Sequence, residues 1–150
     1  MAAIKVLSLL LILCPILSFG QKSVYPKDTI YVMFKKNEAN RKITNWDYKK
    51  KNGVYFSIKD KSSKHLSLFY PYTKKADTLC IEKLKEYCFS DLKEIEEKKN
   101  NWINKKFEGL KYKPYTSSKN GVFRTYLIEI ISEGEFVKYP VIWRNEGVID

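Results

Sequence analysis

Residues 80–88 read CIEKLKEYC, and the reading of this stretch as helix or strand decides how the chain divides. Cys80, Ile81, Leu84, Tyr87 and Cys88 recur at helical spacing, while Glu82, Lys83, Lys85 and Glu86 fall on the opposite side. The pattern predicts an amphipathic helix that starts near Thr78, with Asp77 or Thr78 as its cap. Both cysteines then share one buried face, with Cα atoms about 12 Å apart. A disulfide needs Cα atoms roughly 4.4–6.8 Å apart, so the spacing predicts two separate thiols packed as small hydrophobes. Export to an oxidising compartment argues the other way, for a bond in a kinked segment. No metal site is expected, because histidine occurs once in the chain.

The apolar stripe runs on through Leu92, Ile95, Trp102 and Ile103 to Phe107. One helix over that span would be about 43 Å long, too long for so small a domain. A break is therefore expected at Phe89–Ser90, with Ser90 capping a second helix. Residues 109–121, GLKYKPYTSSKNG, read as a loop, and VFRTYLIEIIS after them reads as a central strand, apolar on both faces. FVKYPVIWR closes the pattern with Val137, Tyr139, Val141 and Trp143 alternating inward, and Pro140 marks it as an edge strand.

Upstream of the stripe, TIYVMFKK alternates as a strand, with Ile30, Val32 and Phe34 on one face. NEANRKITNWDYKKKNG is polar and turn-prone. VYFSIKDKSSKHLSLFYPY reads as a hairpin in which Leu66, Leu68 and Tyr70 answer Val54, Phe56 and Ile58, with Asp60 to Lys64 as the turn. The expectation is one α+β domain over 29–150. Its antiparallel sheet has about five strands in the order β-β-β-α-α-β-β, packed on one or two amphipathic helices.

The first twenty residues form a Sec-type secretory leader. Lys5 supplies the positive region, Val6 to Leu17 the apolar run, and Ser18-Phe19-Gly20 the small-x-small cleavage signal. The run is too short to span a bilayer and Pro15 interrupts it. Leu13 before Cys14 and Pro15 after it do not suit a lipoprotein signal. Residues 21–28 form a flexible lead-in. No later run is apolar enough to span a membrane, so the expected destination is periplasmic or extracellular.

Without the leader the chain keeps 27 basic and 17 acidic residues, a net charge of +10. Such an excess attracts polyanions. Only Arg41, Arg124 and Arg144 are arginines, and lysine is a hydrated point charge rather than a phosphate-reading fork. Specific nucleic-acid recognition is therefore not expected. Two segments interleave lysine with aromatics, at residues 45–56 and 101–115. From them the candidate binding residues are Tyr112, Lys113 and Tyr115, with Lys49, Lys50 and Lys51; Trp102, Ile103 and Phe107 are assigned to the buried helical stripe.

Catalytic chemistry finds little support. The chain has one histidine and lacks the phosphate-loop, dinucleotide and metalloprotease motifs. The one constellation worth weighing is a nuclease-like hydrolase that uses His65 with Glu129, beside Arg124 and Lys64. Arg124 and Glu129 are five apart on a strand and so face opposite ways. The reading that follows is an exported basic module without enzymatic activity, cofactor or metal, whose partner is an acidic protein, a glycan or an envelope component. Protein recovered from an exporting host should have an intact mass that begins at Gln21; a mass that retains residues 1–20 would overturn the leader.

Overall fold

A computed structural model of the chain describes residues 27–36, 41–48, 51–59, 65–111 and 118–144. The leader, the lead-in up to residue 26 and the turn expected at Asp60–Lys64 lie outside the described residues. The elements in order are β1 (Asp28–Phe34), β2 (Arg41–Tyr48), β3 (Lys51–Lys59), β4 (His65–Pro71) and β5 (Asp77–Cys80), then a 3₁₀ helix (Ile81–Glu86). α1 (Leu92–Lys106), α2 (Lys119–Val122), β6 (Phe123–Ile130) and β7 (Glu135–Arg144) follow. Six strands lie in the order β1-β6-β7-β4-β3-β2, and β5 also pairs with β7, which makes seven in all. The fold is a sheet-dominated α+β arrangement.

Three expectations change. The sheet has seven strands rather than about five, and β1 runs parallel to β6, so it is mixed rather than antiparallel. β7 is internal, not an edge: β6 pairs along one side, and β5 and β4 share the other. β2 occupies the segment expected to be a polar turn. Among the described residues it pairs antiparallel with β3 alone, so its ladder rests on main-chain bonds and needs little apolar patterning. The β3–β4 hairpin keeps the expected register, with Val54 opposite Tyr70, Phe56 opposite Leu68 and Ile58 opposite Leu66.

The sheet curls. β1 and β3 stand four places apart, about 19 Å in a flat sheet, yet the rings of Phe34 and Phe56 lie 5.2 Å apart, edge to face. At the two open edges, the Arg41 guanidinium at the start of β2 donates to the Met33 carbonyl of β1. The concave face holds the core: Ile30, Val32 and Phe34 from β1, Leu127 from β6, Val141 and Trp143 from β7, Leu68 from β4 and Phe56 from β3. Each such side chain stabilises the fold by about 1.5–3 kcal/mol. Gly53 is tightly hemmed, since a Cβ there would lie 2.4 Å from both the Phe69 ring and the Tyr70 carbonyl.

α1 closes the concave side with Ile95, which is fully buried. Its cap is Asp91 rather than Ser90, accepting from the Glu94 amide at 2.8 Å. The expected Glu94–Lys98 pair forms at 2.7 Å. Lys119 of α2 is buried, with Nζ 3.1 Å from Glu96 of α1 and 5.4 Å from the centre of the Trp143 ring. Burial opposes ionisation of Glu96, but hydrogen bonds from Lys99 and Lys119 outweigh it and hold its carboxyl below the ordinary range.

The stretch CIEKLKEYC is not one α-helix. Its first residue ends β5, opposite Glu135, and a 3₁₀ helix follows. Ile81, Leu84 and Tyr87 step by three residues, the 3₁₀ repeat, and all three are half-buried. Cys80 and Cys88 flank that row instead of joining it. Both are exposed and free, so the expectation of core thiols is overturned. Phe89 then forms a parallel bridge with Tyr31, and the Ser90 amide donates to the Tyr31 carbonyl at 2.9 Å, which covers part of the free edge of β1. Both thiols should react with a small disulfide reagent in the native protein, before any denaturant is added; reaction only after unfolding would restore the buried reading.

Candidate functional site

Pro140 shapes the surface of greatest interest. It is the residue of β7 with no N–H to give to a ladder. On one side of β7, β4 pairs up to Ile142 and β5 resumes at Lys138. Three β7 residues, Tyr139, Pro140 and Val141, thus face seven on the neighbouring segment, residues 70–76; Tyr70 and Pro71 still pair with β3, and 72–76 leave the sheet as a loop. That loop is anchored at three points. The Tyr70 hydroxyl donates to the Lys74 carbonyl at 2.7 Å, the Lys74 amide to the Pro71 carbonyl at 3.0 Å, and the Tyr72 amide to the Asn52 carbonyl at 3.0 Å.

Beside the loop, on the convex face of β6 and β7, lies a cleft of about 550 Å³. Its floor includes Tyr126 and the residue paired with it, Pro140, together with Ile142. Among the described residues, its charged lining is Lys27, Lys74 and Arg124, with no carboxylate. Lys27 precedes β1 and donates from Nζ to the Asn120 carbonyl. Arg124 is exposed on the convex face of β6, the same face on which Ile128 is fully buried.

Asn120 is the joint of this corner. Its side-chain oxygen accepts from the Trp143 amide at 2.8 Å, and its side-chain nitrogen donates to the Trp143 carbonyl at 2.8 Å. The amide group thereby stands in for a strand where the β6 ladder has ended. Trp143 also donates from Nε1 to Thr125 at 2.8 Å.

Tyr126 is held from the other side. It stacks on Tyr31 at 5.7 Å, and Tyr31 meets Tyr87 edge-on at 4.8 Å. Lys138 Nζ lies 5.4 Å from the Tyr126 ring and 3.2 Å from Asp77. Burial disfavours the Lys138 charge, but the Asp77 hydrogen bond and the nearby tyrosines outweigh it and raise its pKa. The convex face therefore carries fixed rings with cations among them.

On the concave face, Glu129 is buried opposite Phe34 and accepts from the Tyr139 hydroxyl at 3.1 Å. Burial, then the Glu129 charge, raises the Tyr139 pKa. Glu129 and Arg124 thus lie on opposite faces of β6, as their spacing requires. His65 starts β4, opposite Lys59, and Lys64 lies outside the described residues. Among the described residues no group of three or more His, Cys, Asp or Glu could hold a metal. No described helix is long and apolar enough to cross a membrane.

Of the binding residues expected from the sequence, Tyr112, Lys113, Tyr115, Lys49 and Lys50 lie outside the described residues, and Lys51 opens β3. Trp102, Ile103 and Phe107 are half-buried, and Lys106 Nζ sits 4.4 Å above the Trp102 ring. The cleft residues Lys27, Lys74 and Tyr126 carried no local signal, because they come from three separate stretches. No protein-family model matches the chain, and no curated protein or solved structure matches it significantly.

Removing the Asn120 side chain strips two hydrogen bonds from the Trp143 backbone. Asn120→Ala should destabilise the protein by about 1–3 kcal/mol in denaturant unfolding. An unchanged midpoint would mean that the end of β7 does not depend on this bracket.

Proposed function

We propose that the protein is an exported, non-enzymatic binding module that takes an acidic partner on the convex face of β6 and β7. The observation that carries this reading is the cleft beside Pro140, which Lys27, Lys74 and Arg124 line with no carboxylate among the described lining residues. The net charge of +10 without the leader acts in the same direction, drawing anionic partners from a distance. The rings of Tyr31, Tyr87 and Tyr126, fixed against one another, add a surface whose side chains lose little freedom when a partner binds. The secretory leader assigns the meeting place to the periplasm or the outside of the cell.

Heparin is a suitable first polyanion, measured by calorimetry. Its affinity should fall by one to two orders of magnitude between about 50 and 200 mM salt. The combined variant Lys27→Ala, Lys74→Ala, Arg124→Ala should lose most of what remains. The same change in net charge made at Lys83, Lys85 and Lys93, away from the cleft, should cost less than about threefold. A flat salt response, or equal losses from the two triple variants, would refute a charge-selective site at this cleft.

A further inference from the structure

We infer that the partner of this cleft is a chain of acidic sugars, recognised by its rings as well as its charge; the inference rests on the binding reading above. Three observations carry it. First, the strands beneath the cleft are internal. β6 is paired on one side with β1 and on the other with β7, while β7 is paired with β6 and with β4 and β5. Their main-chain groups are engaged in ladders, except beside the interruption at residues 70–76. A peptide that binds by adding a strand needs an open edge, and the floor of this cleft is a sheet face instead. Recognition here falls to side chains.

Second, the lining is mixed. Tyr126, Pro140 and Ile142 give the floor apolar surface, and the cations stand around it. A run of aspartates or a simple inorganic polyanion has use for the cations only. A pyranose ring has one face of C–H groups that can lie on an aromatic or proline ring, and hydroxyls at its rim that can take up donors such as the lysine ammonium groups. Tyr126 is already oriented for such a contact by its stack on Tyr31.

Third, the cations come from three separate parts of the chain. Lys27 comes from the lead into β1, Lys74 from the β4–β5 loop and Arg124 from β6. Three cations around one cleft can meet more than one anionic group, as a chain with a charge on each unit supplies. The cleft volume of about 550 Å³ lies within the range of small-ligand sites. A uronate chain offers one carboxylate on each ring and so combines the ring face with spaced charge.

Three probes separate the contributions: hexagalacturonate, its fully methyl-esterified form and hexa-aspartate, each titrated into the mature protein by calorimetry at about 50 mM salt. The ester keeps the rings and removes the charge; the peptide keeps the charge and removes the rings. Hexagalacturonate should bind at least about tenfold more tightly than either control. Arg124→Ala and Lys74→Ala should each weaken it by about tenfold. In Tyr126→Ala, the ratio of hexagalacturonate to hexa-aspartate affinity should fall by about tenfold, and partial unfolding cannot imitate this because it lowers both affinities together. If hexa-aspartate binds as well as the sugar and Tyr126→Ala leaves the ratio unchanged, the sugar inference fails while the acidic-partner reading stands. If neither anion binds, both fail.

Discussion

β7 must satisfy a ladder on each of its two edges, and Pro140 leaves it one donor short. An internal strand exposes two rows of backbone groups that cannot be left unpaired in a core. The chain meets this constraint by breaking the neighbouring strand into β4 and β5, which pair with opposite ends of β7. Everything else is arranged around that solution. β6 and β1 extend the sheet from one edge, β3 and β2 from the other, and the two halves curl toward each other until Phe34 meets Phe56. The loop released by the break carries Lys74 to the rim of the cleft. One proline thus links the shape of the sheet to the surface proposed to bind.

The concave face of β6 serves the core, while its convex face combines the fully buried Ile128 with the residues proposed to bind. Leu127 and Thr125 point into the core, with Glu129 held there by the Tyr139 hydroxyl. Arg124 and Tyr126 point the other way. Core side chains contribute a few kcal/mol each, whereas exposed ion pairs such as Lys93–Glu97 contribute less than about 1 kcal/mol. Charges on the convex face can therefore be exchanged at small cost to folding. Asn120 is the exception, since it brackets the end of β7 and also accepts from Lys27.

Elements with strong one-sided burial were legible from residues alone. β1 alternates cleanly, and the β3–β4 hairpin has three matched apolar positions, so its register followed. β2 was missed because an edge strand buries little. The stretch at 80–88 misled for a subtler reason. Ile81, Leu84 and Tyr87 fit a period of 3.0 as well as 3.6 over so short a run, and only the cysteines at its ends tell the two apart. The cleft was not legible, since its cations are scattered between residues 27 and 124.

Taken alone, the sequence determined the charge excess, the α+β class and the inward face of most strands, all of which depend on composition or on periods within a few residues. Only the tertiary structure decided that β1 runs parallel to β6, that β7 is internal and that Lys27, Lys74 and Arg124 line one cleft. Those outcomes depend on which strands pair across long separations, and a backbone ladder is blind to side-chain identity except where a proline such as Pro140 removes a donor.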